Sequence, residues 1–143
     1  MTGYITPDAH QFRLIMQAPW RGPLILLNLV RLRKQAAYGD GRIATGAEAW
    51  DDYLRQLAPL LHRAGGQILW AAPACEVLIG PEDEEWDLGV LVEYPDAATF
   101  RRLITGPDYR PVARHRAAAV RDSRLIRFGI PPQSSSDRRS SAD

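Results

Sequence analysis

Two hydrophobic rhythms run along this chain, and they divide it into segments. Thr6-Pro7-Asp8 has the form of a helix start, with Thr6 as N-cap, Pro7 at the first helical position and Asp8 in the first turn. Phe12, Ile15 and Met16 follow at helical spacing, and Pro19 stops the element. Leu24–Leu32 is a strongly apolar run with Asn28 at its centre, the pattern of a strand buried on both faces. Thr45-Gly46-Ala47-Glu48 fits a capping box. After it Ala47, Trp50, Leu54, Leu57, Leu61 and Ala64 recur at three- and four-residue steps, one apolar helical face that Gly65-Gly66 ends and that Pro59 should kink.

The second half reads in the same way. Residues 67–72 and 74–80, separated by Pro73, predict one long, bent edge strand. An acidic turn, Gly80-Pro81-Glu82-Asp83-Glu84-Glu85, leads into a strand over residues 87–94. Pro95-Asp96 opens a short helix with Phe100, Leu103 and Ile104 inward, which Gly106-Pro107 closes. Asp108 is the expected cap of a further helix to about Arg121, and residues 123–128 form the last strand. After the leading helix the order is strand, helix, strand, strand, helix pair, strand, the split βαβ or ferredoxin-like pattern of an α+β sandwich. In the expected sheet, strands one and three lie side by side and parallel at the centre, with strands four and two antiparallel at the edges. The chain divides into an N-terminal helical extension (1–22), a ferredoxin-like domain (23–130) and a Ser-, Arg- and Asp-rich tail (131–143) with no apolar face, expected to be disordered.

Composition narrows the class. A chain of 143 residues has the length of one domain and buries about 70% of its unfolded surface without help from disulfides or metals. The net charge is +1, which argues against a general nucleic-acid binder. The single cysteine, Cys75, excludes an internal disulfide framework or a multi-cysteine zinc site, and its apolar surroundings predict a small buried hydrophobe. No signal peptide is visible, and no apolar stretch approaches the roughly 20 residues that span a membrane. The expectation is a soluble, cytoplasmic protein without a membrane or nucleic-acid partner.

Asn28 is the strongest pointer to a site. A side-chain amide inside a buried strand must find a partner or cost roughly 1–3 kcal/mol; the partner is a side chain, a water or a ligand. Glu93 is a second polar intrusion, in the strand expected beside it. It is read either as a structural partner of Arg31 or Arg124, or as a general base or ligand-hydroxyl acceptor. The expected topology gathers Arg31, Arg33, residues 33–44, Glu93, Gln67, Trp70 and Arg124 at one end of the sheet, with the long 33–44 loop as a candidate lid. Glu76 intrudes on the edge strand. His115, between Arg114 and Arg116, is either a proton-transfer residue or part of a solvated basic face. Trp50 follows the helical stripe into the core, Trp20 is expected to pack the first helix on the sheet, and Trp70 and Trp86 are candidates for a pocket wall. His10 and His62 are read as surface or boundary residues, and no histidine pair has metal-ligand spacing. P-loop, GxGxxG, GxSxG and HExxH motifs are absent.

Leu27-Asn28-Leu29-Val30-Arg31, Ile79-Gly80-Pro81, Trp86-Asp87, Leu91-Val92-Glu93-Tyr94-Pro95, Pro107-Asp108-Tyr109 and Asp122-Ser123-Arg124-Leu125-Ile126 form an ordered set of motifs. As a set they resemble domain-of-unknown-function family 1330, from about Leu24 to Phe128. The resemblance implies the dimeric α/β-barrel group of ferredoxin-like folds, and so a homodimer with a cavity between sheet and helices. Relatives in that wider group include cofactor-free monooxygenases of aromatic polyketides, muconolactone-type isomerases and haem-binding or haem-degrading proteins. Fold alone does not fix a reaction.

Three functional readings follow. The first is an enzyme without a cofactor or metal, a monooxygenase, isomerase or cyclase acting on an aromatic or polyketide-like metabolite. Asn28, Glu93 and His115 are its catalytic candidates, and Arg31, Trp70, Glu76, Trp86, Tyr109 and Arg124 its ligand-binding candidates. The second is a non-catalytic metabolite-binding homodimer using the same pocket. The third is haem binding through His115.

Overall fold

The computed structural model describes residues 3–17 and 22–129. Its elements are α1 (Ala9–Gln17), β1 (Leu24–Leu32), α2 (Gly46–Arg63), β2 (Gln67–Pro73), β3 (Leu88–Tyr94), α3 (Ala97–Thr105), α4 (Arg110–Ala119) and β4 (Val120–Phe128). The order matches the split βαβ reading. Trp20 and the 131–143 tail lie outside the described residues.

The sheet has the strand order β2-β3-β1-β4, and every neighbouring pair is antiparallel. This corrects the expectation that the two central strands are parallel. The β2–β3 connection reverses the chain, so β3 must run against β1, and Leu24 faces Tyr94 while Val30 faces Leu88. One correction leads to another, because antiparallel pairing sends Glu93 to the opposite end of β1 from Arg31.

Strand alternation sorts the sheet into two faces. Leu24, Leu26 and Val30 of β1, with Val90, Val92 and Tyr94 of β3, turn toward the helices and form the core with Trp50, Tyr53, Leu57 and Leu61 of α2. Val112, Ala118 and Ala119 of α4 and Phe100 of α3 complete it. The other face carries Ile25, Leu27, Leu29 and Leu91, all half-buried, with the exposed Trp70, Ile126 and Phe128.

Local sequence signals explain most boundaries. Thr45 caps α2 in a full capping box: its side chain accepts from Glu48 N, and Glu48 accepts from Thr45 N. Helix α2 runs through Pro59 to Arg63, just before Gly65-Gly66. Asp96 caps α3 by accepting from Thr99 N at 2.7 Å. Helix α1 begins two residues later than expected, because Asp8 rather than Thr6 takes the first free N–H groups, those of His10 and Gln11. Tyr109, not Asp108, precedes α4, with no side-chain cap. β4 starts at Val120, three residues early, because Leu32 pairs with Val120 across a bulge.

Two expectations about the edge strand fail together. β2 ends at Pro73, and residues 74–87 form a connection whose first tie is Ala74 N to Asp87 O at 2.9 Å. Cys75 is therefore exposed rather than buried. Proline cannot donate to a ladder, and here it ends the strand instead of bending it.

Candidate functional site

A cavity of about 630 Å³ lies between the helix-facing side of the sheet and the helices. Leu26, Asn28, Val90, Val92 and Tyr94 form its sheet wall, and Trp50, Tyr53, Leu54 and Leu57 of α2 its opposite wall. Phe100 and Ile104, then Tyr109, Ala113 and Arg116, close the sides. The N-terminal segment, from Tyr4 through Phe12 and Ile15 of α1, covers the remaining side. Rings dominate the walls: Trp50 and Tyr53 lie 5.0 Å apart, Tyr94 and Phe100 5.0 Å, and Phe12 and Phe100 6.3 Å.

The polar centre answers the question posed by Asn28. Its Oδ1 accepts from Arg116 Nη2 at 3.3 Å. The same Nη2 donates to Ser123 Oγ at 3.3 Å, and Arg116 Nη1 donates to the carbonyl of Ile5. Ser123, 5% exposed, in turn donates to the Tyr4 carbonyl at 2.6 Å. This network ties the N-terminal segment to β1, α4 and β4. Among the described residues Arg116 makes no ion pair.

A second polar group lies on the wall formed by α2 and α4. The hydroxyls of Tyr53 and Tyr109 are 3.1 Å apart. Burial holds the Tyr53 pKa well above that of a free phenol, an effect the neighbouring Tyr109 reinforces and the Arg116 charge opposes. Tyr94 is pushed up by burial in the same way. Tyr53 and Tyr94 therefore stay protonated at neutral pH, each with a hydroxyl proton to offer. Trp50, 2% exposed, has its Nε1 buried without a hydrogen-bond partner.

The predicted site residues separate. Asn28, Tyr109 and Arg124 line the cavity. Glu93 does not: it lies opposite Ile25 and Gln67 on the other sheet face, where it accepts from Gln67 Nε2 at 3.2 Å. Its pairing with Arg31 or Arg124 is excluded by the antiparallel register. Arg31 is bonded to Glu85 at 3.3 Å and stands about six residues, roughly 20 Å, further along β1 than the position Glu93 faces. Trp70 lies opposite Leu91 on the outer face, 54% exposed, with its ring against Gly89. Glu76 is exposed in the 74–87 connection. Trp86 packs on the Arg124 guanidinium, 5.3 Å from ring to cation, and Tyr4 does so at 4.9 Å.

His115 is neither in the cavity nor on a solvated face. It is 7% exposed, with Nδ1 2.6 Å from the Tyr38 hydroxyl. Arg42 and Arg114 lie against the Tyr38 ring, at 4.8 and 5.2 Å, and pair with Asp52 and Asp40. The 33–44 loop is thereby fastened to α4, also through Ala37 N to Ala118 O. It does not line the cavity, so the segment covering the chamber is the N-terminal one. Burial lowers the His115 pKa, Asp52 opposes this, and Arg114, Arg42 and Arg55 add to the lowering.

Arg116, Ser123, Tyr53 and the indole of Trp50 are the site residues that sequence reasoning missed. For Arg116 a signal existed: it follows Val112 by four residues and Ala113 by three, placing it on an apolar stripe of α4. His10 and His62 are exposed, as expected. Among the described residues no group of three His, Cys, Asp or Glu side chains is placed to hold a metal ion, and no helix is long and apolar enough to cross a membrane.

Fold and cavity together define an α+β protein of ferredoxin-like architecture with a ligand-sized chamber between sheet and helices. Residues 42–128 match the domain of unknown function DUF1330, and the chain belongs to that family. It is 44% identical to the RPA0582 protein of unknown function from Rhodopseudomonas palustris, over 92% of this chain and 100% of that one, with a TM-score of 0.84. More distant structures share the fold: a dimeric protein of unknown function from Bacteroides fragilis (12% identity, 78% of this chain and 99% of that one, TM-score 0.50). Another is SnoaB, a cofactor-independent oxygenase from Streptomyces nogalater (16% identity, 80% and 99%, TM-score 0.50). No curated protein matches the chain.

Proposed function

We propose that this protein binds a largely apolar, aromatic or polyketide-like metabolite in the cavity between sheet and helices, and acts on it as a cofactor-independent enzyme of the monooxygenase, isomerase or cyclase type. The observation that carries this reading is the combination of an aromatic-walled chamber of about 630 Å³ with a part-buried Asn28–Arg116–Ser123 group. Such sites are mainly apolar, with a few convergent polar groups that fix orientation. Asn28 and Arg116 are the groups suited to stabilise a developing enolate oxygen, and Tyr53 or Tyr109 is suited to donate a hydrogen bond. Glu93 and His115 have no part in this proposal, since neither reaches the chamber. The oxygenase among the distant structures lends support by analogy of fold only.

The second reading is a binding protein without turnover, and it uses the same chamber. The haem reading has less support than these two, because His115 is buried away from the chamber and no histidine is among the described lining residues.

The working form is proposed to be a homodimer joined through the outer sheet face, where Leu27, Leu29 and Leu91 are only half-buried and Trp70, Ile126 and Phe128 are exposed. A soluble, cytoplasmic setting, with neither nucleic acid nor membrane as partner, belongs to the same proposal.

Native mass spectrometry of freshly purified protein, followed by incubation of any retained compound in air, tests the reading. A retained aromatic compound that is chemically altered with time supports an enzyme, and one that stays unaltered supports a binding protein. Protein that neither retains nor takes up any aromatic compound overturns both.

A further inference from the structure

We infer that the cavity selects a monoanionic ligand, an aromatic body carrying one ionised oxygen, with Arg116 as its counter-charge. This rests on the proposed reading of the chamber as a ligand site and adds the chemical class of what it holds.

The first ground is charge. The described lining contains Arg116 and, at the β4 edge, Arg124, but no aspartate, glutamate or histidine. Arg124 is already paired with Asp122 at 2.8 Å. Among the described residues Arg116 has only neutral acceptors: the side-chain oxygens of Asn28 and Ser123 and the Ile5 carbonyl. A cation set among apolar groups with no anion facing it is costly unless something charged completes it. Low surrounding polarity also strengthens its attraction for an incoming anion.

The second ground is a surplus of donors. A guanidinium only donates, so Asn28 must turn its oxygen toward Arg116, which leaves its amide NH2 as a donor. Trp50 Nε1–H is likewise unpaired, but it is closed off from the chamber and takes no part in this count. Between Tyr53 and Tyr109 one hydroxyl proton bridges the pair and the other is left over. An unmatched buried donor is disfavoured. Two donor groups close to Arg116, the Asn28 amide and the Tyr53–Tyr109 pair, thus keep protons to give beside one unbalanced positive charge. An ionised oxygen supplies both needs, whereas an amine supplies neither. The walls restrict the remainder of the ligand: aromatic side chains including Phe12, Trp50, Tyr53, Tyr94, Phe100 and Tyr109 suit flat rings better than a sugar or a polyphosphate.

A carboxylate and an enolate share this chemistry, and calorimetry with three probes separates them. The probes are 2-naphthoate, the enolate of 2-phenylindane-1,3-dione and uncharged 2-naphthamide, each titrated into the full-length protein at neutral pH. At least one anion is expected to bind about tenfold or more tightly than the amide. Arg116→Gln is expected to remove that preference by weakening anion binding far more than amide binding, and Arg116→Lys to keep part of it. Whichever anion is preferred identifies the head group. Equal binding of all three by the wild-type protein overturns the anion assignment and leaves the ligand site standing. A preference for anions that survives in folded Arg116→Gln protein also overturns it. No binding by any probe overturns the assignment and the ligand-site reading together. The wild-type comparison decides the matter even where a variant fails to fold.

Discussion

The Asn28 side-chain oxygen lies 3.3 Å from Nη2 of Arg116, joining the centre of β1 to α4 across the cavity wall. One bond thus answers two needs, the amide in an apolar strand and the guanidinium among aromatic groups. Replacing Asn28 by Leu removes the acceptor and leaves Arg116 less satisfied. A loss of about 1–3 kcal/mol is expected, read as a lower urea midpoint with an unchanged slope. Asn28→Asp has the opposite consequence: it sets a carboxylate beside the guanidinium, maintains stability and abolishes binding of the anionic probe. If Asn28→Asp binds 2-naphthoate like the wild type, the bond has no role in recognition.

Gly46 opens α2 where there is no room for a side chain. A Cβ there would stand 1.9 Å from the carbonyl oxygen of Arg33, a backbone atom that cannot swing aside. Gly46→Ala is expected to destabilise the fold by about 3 kcal/mol or more. Thr45→Ala, one residue earlier, should lose about 1 kcal/mol through the capping box. Thermal unfolding of the two variants checks the ranking; a milder effect at Gly46 than at Thr45 would show that the loop relaxes.

Much of this architecture was legible in the chain, because periodicity and capping are local. Thr45 with Glu48 and Asp96 with Thr99 marked two helix starts, and the apolar run around Asn28 marked the central strand. The family motifs supported the same order of elements. The site was less legible because it depends on relations between strands. Treating β1 and β3 as parallel placed Glu93 beside Arg31, whereas the antiparallel register puts it opposite Ile25. His115 and Arg116 are adjacent in sequence but point into different surroundings, one to Tyr38 and the other to Asn28. Helical spacing distinguishes them; adjacency in the Arg114-His115-Arg116 run hides the difference.

The buried Tyr38–His115 pair gives stability a pH dependence of predictable sign. Burial lowers the His115 pKa in the folded protein, with Arg114, Arg42 and Arg55 adding to the effect and Asp52 opposing it. The unfolded chain, with a histidine pKa of about 6.5, then takes up protons more readily than the folded one. The contribution is fully present above that pH and is lost as the pH falls through it toward the lower folded value. The wild-type urea midpoint is expected to decline from pH 7 to pH 5, above the range where most carboxylates titrate. His115→Gln should flatten that stretch, and Tyr38→Phe should lower stability at pH 7, where Nδ1 loses its 2.6 Å partner. An equally steep decline in His115→Gln would assign the dependence to other groups.

The outer sheet face makes a separate prediction about assembly. Ile126 on β4 faces Leu27 on β1, and is 42% exposed on a surface that also presents Trp70 and Phe128. At a two-fold interface one substitution per chain introduces two charges into the same apolar contact. Ile126→Glu is therefore expected to convert a dimer to a monomer in light scattering, while cavity binding of a small aromatic probe persists. Ile43 provides the contrast: it is 86% exposed but belongs to the 33–44 loop rather than to the sheet, so Ile43→Glu should leave the mass unchanged. Exposure alone would predict the larger effect at Ile43. A dimer that survives Ile126→Glu, or a wild-type protein that is monomeric at micromolar concentration, would move the interface away from this face.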